Sequence, residues 1–298
     1  MTDLHLPGTG LAILIALLSS VFFAIGMVTS RVGLRTLDAR SGAAISIPAA
    51  TLLFIAASPF ALDTSGFDLR AVLLFAAVGL VFPVSVTLLT FRANELLGPT
   101  VTSAVSGTAP LFALLAASLF LGERVPAQAA VSAAGVVAGV ALLSWKKDAL
   151  RPGFIGWVLL WPLAGAVMRA FAQTGAKAGL LLWSNAFAAG LIGYLVSCAV
   201  VIGADRLRRT ARPQLARRDI AWFAVTCVLN GGAVLLMYFA LSMAPVWVVA
   251  PVIASYPLLT ALISTTVLHD DKLTLHAAAG GGLTIAAIVY LLGSLDPG

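Results

Sequence analysis

Long runs of mostly apolar residues, separated by short polar clusters, make up almost the whole chain. The runs are roughly 18 to 25 residues long, which is the length of helix that crosses a bilayer core of about 30 Å. Because the runs are continuous rather than alternating, they indicate helices and not a transmembrane barrel. The pattern predicts ten membrane-spanning helices, near residues 10–30, 41–62, 70–92, 99–121, 126–145, 153–176, 181–203, 219–241, 246–268 and 273–294.

The second half of the chain repeats the first. Much of the pattern of residues 98–143 returns in residues 244–292, at an offset of 146 or 147 positions. Such a constant offset is typical of an internal structural repeat, with residues 1–148 and 149–298 as its two units. Each unit holds five predicted helices, an odd number, so the second enters the membrane from the opposite face. The prediction is an all-α membrane protein with two inverted five-helix repeats around a central cavity.

Composition supports this class and excludes a soluble domain. Of the 298 residues, 60% are hydrophobic and 10% are charged, and the mean hydropathy is +1.04. The net charge of +6 comes from basic residues between the spans, so it indicates topology rather than binding to nucleic acid. Cys198 and Cys227 lie inside apolar runs and predict small buried side chains, not a disulfide or a metal site.

The basic residues are distributed unequally between the two faces of the predicted bundle. Fourteen lie after helices one, three, five, seven and nine, three lie on the other face, and Arg169 lies within a span. The richer face is expected in the cytoplasm, and this face includes residues 204–218. Both termini are therefore predicted on the outer, periplasmic side.

Arg169 is the full charge that lies deepest inside a predicted span. A charged group there costs about 2.5–3.5 kcal/mol or more, so it needs a reason. Trp161, Gly165, Arg169 and Gln173 recur every fourth residue and predict one slowly drifting stripe. Two interpretations stay open. Arg169 either faces the central cavity, with Trp161 and Gln173 as further substrate-binding candidates, or extends along its stem toward the outer interface.

The repeat adds further candidates at matching depths. An offset of 146 pairs Arg169 with Phe23, a cation with a ring, which would suit a ligand with a carboxylate and an apolar body. An offset of 147 pairs Pro83 with Asn230, and matched helix interruptions are a pointer to a transporter's central site. Asn230 and Tyr238 could offer an amide and a phenol to a ligand, or serve only in packing.

Two mid-helix prolines occupy equivalent places in the repeats. Pro110 and Pro257 are predicted as hinges, together with Pro83, because proline interrupts the helical hydrogen-bond ladder. Polar residues close to these two positions are additional substrate-binding candidates: Ser103, Ser106 and Tyr256.

The repeat motifs resemble the EamA family of the drug/metabolite transporter superfamily. The resemblance rests on Gly98-Pro99 and Ala244-Pro245, on the two mid-helix prolines, and on Leu121-Gly122-Glu123-Arg124. His269-Asp270-Asp271-Lys272 departs from the last motif but keeps an acid. The resemblance implies ten spans, with helices one, three, four, six, eight and nine around the cavity. Within the family, the chain is most similar to the YddG-type bacterial exporters of aromatic amino acids.

The sequence contains no phosphate-binding loop, hydrolase elbow, metalloprotease pair or clustered carboxylates, so neither an enzyme nor a cofactor is expected. The favoured function is export of small metabolites, above all aromatic or other bulky apolar amino acids, by alternating access in a bacterial inner membrane. Transport is predicted to be uncoupled, because no acid lies deep in a span. Export of another amphipathic metabolite or drug, and a non-transporting scaffold, are the alternatives. The expected partners are the substrate and the lipid bilayer, and a monomer is compatible with the pattern.

Overall fold

The computed structural model describes residues 9–143, 155–208, 217–268 and 275–294. Within these ranges the chain is all-α, with twelve α-helices, two π-helical segments and no strand, which confirms the predicted class. The α-helices are α1 (Thr9–Gly33), α2 (Ala39–Ala61), α3 (Leu69–Gly79), α4 (Val84–Ser106), α5 (Ala109–Ala116), α6 (Ala127–Leu143), α7 (Ile155–Leu182), α8 (Ala186–Arg208), α9 (Arg217–Met243), α10 (Val246–Ile253), α11 (Tyr256–Ile263) and α12 (Leu275–Gly293).

Six helical segments in the described part of the chain are long and apolar enough to cross a membrane. One of them, Leu69–Leu121, has 53 residues, more than twice the roughly 20 residues that a span needs. It is divided near Gly98, whose φ of 80° lies in the left-handed region that favours glycine. Large apolar side chains such as Leu14, Leu52 and Leu115 are exposed on the outside of the bundle, as expected for surfaces that face lipid. The count of ten spans stays a prediction.

The two halves of the chain break their helices at equivalent places. Turns at residues 107–108 and 254–255 precede α5 and α11, and π-helical segments follow at Ala117–Leu121 and Ser264–Leu268. Each pair is separated by 147 positions, the offset found in the sequence. The repeat is therefore present in local structure as well as in the residue pattern. The second acidic motif, His269-Asp270-Asp271-Lys272, lies outside the described residues.

Small residues allow the fifth helix of each half to pack against the other. The Ser132 hydroxyl in α6 donates to the Ala287 carbonyl in α12 at 2.8 Å. A Cβ added at Gly139 would lie only 2.7 Å from the Gly280 carbonyl oxygen, so the backbones approach closely. Such stripes of small residues let membrane helices pack without large side chains between them. The small-residue faces of α6 and α12 therefore pack directly against each other.

In each half a cation binds the carbonyls at the end of a helical segment: the half-buried Arg31 in the first half and the buried Lys177 in the second. Arg31 in α1 donates to the Asn94 and Glu95 carbonyls at 2.7 and 2.8 Å. Lys177 in α7 lies 146 positions later and donates to the Leu241 and Ala244 carbonyls at 2.7 and 3.0 Å. Cations are favourable beside the free carbonyls at a helix C-terminus. The sequence comparison of the two halves did not identify this matched pair.

The two capping cations lie at opposite ends of the helix bundle. Helix α7 runs antiparallel to α3 and α4, since Gly179 packs against Phe75 whereas Gly165 lies near Thr90. Lys177 is therefore at the Phe75 end, and Arg31, which binds the Asn94 carbonyl, is at the other end. The middle of α7, including Arg169, lies between these two ends.

Candidate functional site

A narrow cavity lies in the middle of the bundle, between α1, α4, α7, α8, α9 and α11. Its volume is about 40 Å³, and since a water needs roughly 10–15 Å³ on this measure, it has room for about three water-sized particles. Most of its wall is aromatic or aliphatic. The lining residues are Phe23, Gly26, Met27, Ser30, Phe82, Pro83, Val86, Thr87, Thr90, Phe91, Arg169, Tyr194, Asn230, Val234 and Tyr256.

Arg169 faces this cavity and is only 7% exposed. The central carbon of its guanidinium lies 4.8 Å from the centre of the Phe23 ring and 5.8 Å from that of Tyr256. The two rings are themselves 6.1 Å apart, at an angle of 50°. Ring faces attract a cation, so the two aromatic side chains hold the guanidinium in the cavity. Arg169 is the one full charge among the described lining residues.

Several polar atoms at the cavity have no hydrogen-bond partner among the described residues. They include Nε and Nη1 of Arg169 and Oγ1 of Thr90, all of them buried. The buried Oη of Tyr256 lies beside the Ser106 hydroxyl. Buried polar groups in proteins are normally paired, and each exception calls for an explanation. The unpaired atoms that can donate outnumber the available acceptors, because a guanidinium has no acceptor. This arrangement can hold a negatively charged group.

Glycine at position 26 lets α1 approach the Asn230 side chain. A Cβ added at Gly26 would overlap the Asn230 amide oxygen, so any larger residue would push Asn230 out of the cavity wall. On the opposite wall, the chain leaves its helical path at residues 80–83, before α4 begins. Pro83 lies at this break and lines the cavity, as Asn230 does from α9.

The two predicted hinge prolines lie at the starts of helices. Pro110 is in the first turn of α5 and Pro257 in the first turn of α11. The breaks also meet in space, because a Cβ added at Gly107 would lie 3.1 Å from Cγ of Pro257. Motion at one break would therefore be felt directly at the other.

The structure brings together five of the positions that the sequence singled out and leaves the others elsewhere. Those that line the cavity are Phe23, Pro83, Arg169, Asn230 and Tyr256. Trp161 is 42% exposed on the outside of the bundle. Four other positions are buried but do not line the cavity. They are Tyr238 in α9, Gln173, whose Nε2 donates to Sδ of Met237 at 3.3 Å, Ser103, whose hydroxyl donates to the Thr100 carbonyl, and Ser106, whose hydroxyl lies beside that of the lining Tyr256.

Sequence reasoning missed several lining residues, notably Thr90 and Tyr194. A signal for Thr90 was present, because it follows Pro83 by seven residues, which is two helical turns, and so shares its face of the helix. Tyr194 had no comparable signal. Its place in the wall depends on stacking against Phe54, with ring centres 5.0 Å apart.

Glu123 adds a second charged group at the Lys177 end of the bundle. Its two carboxylate oxygens accept from the Val246 amide at 3.2 and 3.1 Å, at the start of α10. A carboxylate is favourable at a helix N-terminus. Burial raises the pKa of Glu123, which the Val246 amide and Lys177 lower to a smaller extent. Within the described ranges, no three His, Cys, Asp or Glu side chains come close enough to hold a metal ion.

The chain is similar to a known protein family in sequence and to a solved structure in fold. The sequence model of the EamA-like transporter family matches residues 10–145 and 156–293. No curated protein matches the chain. A solved structure, titled "Crystal structure of protein", is similar with a TM-score of 0.73 and 16% identity, over 97% of each chain. At this identity the likeness concerns the fold alone.

Proposed function

The chain belongs to the EamA-like transporter family, and we propose that it exports small metabolites that carry a carboxylate, most specifically aromatic or other bulky apolar amino acids. The observation that carries the proposal is Arg169, a buried guanidinium with unpaired N–H groups in a central cavity. A guanidinium stays protonated and presents a planar fork that matches a carboxylate.

Aromatic walls supply the second half of the recognition. Phe23 and Tyr256 contact the guanidinium, and Phe82 and Phe91 line the same space. Large rigid rings bind an apolar side chain with little loss of rotamer freedom. A cationic drug would be repelled by Arg169, and a sugar would leave the guanidinium unpaired. The same chemistry agrees with the general likeness to the YddG-type exporters of aromatic amino acids.

The cavity must widen before it can hold such a substrate. Its volume of about 40 Å³ fits a few water-sized particles, and we assign this narrow conformation to the occluded state of the proposed cycle. We assign the widening to the breaks before α5 and α11, where Pro110 and Pro257 lie. Bending there would open the cavity to the two ends in turn, which is alternating access between inverted repeats.

The remaining parts of the proposal concern the membrane. Ten spans would cross the bacterial inner membrane, with residues 204–218 in the cytoplasm and both termini on the periplasmic side. Transport would be uncoupled, since no described acidic residue lines the cavity. A second candidate substrate is another amphipathic carboxylate, because the unpaired donors recognise the acid and not the rest of the molecule.

Reconstitution into liposomes tests the proposal. Vesicles loaded with phenylalanine should release it faster with wild-type protein than without protein, and the Arg169→Ala variant should lose most of this gain. The exposed Arg92 provides a matched control, and Arg92→Ala should keep the wild-type rate. Release equal to that of protein-free vesicles would favour a scaffold instead. A membrane-impermeant thiol reagent would then fail to reach cysteines introduced along α7.

A further inference from the structure

The central cavity has features of a binding site for a small anion, in addition to any organic substrate. Arg169 is buried, and two of its nitrogen atoms lack a hydrogen-bond partner in the described part of the chain. An isolated charge inside a protein is unfavourable unless another group compensates it. Phe23 and Tyr256 contact the guanidinium through their rings. Ring faces attract the cation but cannot accept the in-plane N–H groups as an anion would.

No protein carboxylate supplies this compensation among the described lining residues. Two described acidic residues, Glu95 and Glu123, lie at opposite ends of the bundle, and each already has a partner there. Glu95 pairs with Arg92 at 2.9 Å, and Glu123 accepts from Val246 at the start of α10. Arg169 lies between these ends, so among the described residues no acid is placed to serve as its counterion, and an ion from solution could take that role.

The other unpaired groups point to the same kind of ligand. The hydroxyls of Thr90 and Tyr256 are buried, and both side chains line the cavity. The Thr90 hydroxyl is unpaired within the described ranges, and the Tyr256 oxygen can accept from the neighbouring Ser106 hydroxyl while its own O–H stays free to donate. Each can donate one O–H, and Arg169 donates two N–H groups. With four donor atoms around one space and no opposing acid among the described lining residues, an anion can balance the guanidinium charge, which water cannot do.

The volume of the cavity and the single positive charge of Arg169 limit which anion can bind there. The volume of about 40 Å³ is enough for an ion slightly larger than a water molecule. Sulfate and phosphate would bring four oxygens and a second charge, which one guanidinium cannot balance. We infer that, in this occluded conformation, the cavity binds a monovalent halide such as chloride, held by Arg169, Tyr256 and Thr90.

The halide site also bears on the proposed function, although it does not rest on it. A substrate carboxylate would use the same guanidinium, so chloride and substrate would compete. The competition is selective: phenylalanine should displace chloride, and phenylalanine amide, which lacks the carboxylate, should not.

Thermal unfolding of the purified protein without substrate tests the inference. Sodium chloride, sodium bromide and sodium gluconate are compared at constant ionic strength, with sodium sulfate as a further control. Chloride and bromide should raise the unfolding midpoint saturably. At a concentration tenfold above Kd the rise should be about 2–4 °C. Gluconate and sulfate should give no saturable rise. Equal midpoints in chloride and gluconate would overturn the inference.

Variants connect the effect to the cavity. Arg169→Gln should abolish the chloride-dependent shift, whereas Arg92→Gln, at an exposed position, should keep it. If Arg169→Gln does not fold, Tyr256→Phe and Thr90→Val are the test. Each removes one donor and should weaken the apparent chloride affinity by about 3- to 10-fold. Wild-type affinity in both of these variants, or a full shift in Arg169→Gln, would contradict the site.

The outcome is independent of the transport assay. Chloride binding without phenylalanine release would support the halide site and refute the proposed transport. Phenylalanine release without any effect of chloride would support the proposed transport and refute the halide site.

Discussion

The contribution of Lys177 to the stability of the folded protein can be tested directly, because this side chain binds two backbone carbonyls at one end of the bundle. Its ammonium donates to the Leu241 and Ala244 carbonyls at 2.7 and 3.0 Å, and the side chain is buried. Lys177→Met keeps the length and the apolar stem but removes both donors. Two buried carbonyls then lose their partner, and Glu123 loses a nearby cation.

The expected cost follows from these lost contacts. A buried polar group left without a partner costs about 1–3 kcal/mol. Lys177 keeps a small exposed fraction of 8%, so we take the lower half of this range for each carbonyl, which gives about 2–4 kcal/mol in total. For a chain of 298 residues, one kcal/mol lowers the unfolding midpoint by roughly 2 °C. Lys177→Met should therefore unfold about 4–8 °C below wild type.

The assay is thermal unfolding of purified protein in one detergent, at one scan rate. Arg92→Met is the control, because Arg92 forms an exposed ion pair with Glu95. Such pairs contribute about 0.2–1 kcal/mol, so the midpoint should fall by no more than about 2 °C. Equal shifts for the two variants, or an unchanged midpoint for Lys177→Met, would show that Lys177 does not hold this end together.

Three further predictions concern the cavity wall, the hinges and pH. Gly26→Val should reduce phenylalanine release at least tenfold with little change in expression, because the new side chain overlaps the Asn230 amide; unchanged release would show that Asn230 is not needed. Replacing Pro110 and Pro257 together by Ala should slow release more than it weakens phenylalanine binding, and equal effects on both would make the prolines static kinks. Burial raises the pKa of Glu123 above its usual 4.5, so the folded protein gains stability relative to the unfolded chain as the pH falls through the raised pKa toward 4.5, and loses it as the pH rises. The unfolding midpoint of wild type should therefore fall relative to that of Glu123→Gln as the pH rises through this window, and a difference that does not change with pH would contradict the shift.

Residue patterns predicted the helices well because membrane helices have a simple requirement. A long apolar run has to satisfy its own backbone hydrogen bonds, and the helix is the structure that does so. The repeat offset was equally informative. It paired Arg169 with Phe23 from sequence alone, and the two side chains are in contact across the cavity.

A spacing of four residues did not predict correctly which side chains share one helix face when the residues were eight positions apart. Each step of four turns a helix by about 40° beyond a full circle, so a residue eight positions away has turned by about 80°. Trp161 precedes Arg169 by eight residues and faces outward. Tyr238 follows Asn230 by eight and is buried away from the cavity lining.

Helix breaks could be located from sequence, whereas contacts between the halves could not. Proline marks a break through its own chemistry, so Pro110 and Pro257 were visible as local features. Lys177 looked like an ordinary loop cation, because its two carbonyl partners lie more than sixty residues away in the chain. Only the packing of α7 against α9 brings them together.

Binding of a carboxylate and of its amide to Arg169→Ala is the measurement that tests the central claim most directly. Binding of phenylalanine and phenylalanine amide is measured for wild type and variant. Loss of one charge-assisted contact typically costs about 1.5–3 kcal/mol, or roughly ten- to a hundredfold in affinity. The variant should bind phenylalanine weaker by this factor, whereas the amide should bind weakly to both proteins. Equal weakening of acid and amide, or no weakening of either, would contradict recognition of a carboxylate by Arg169.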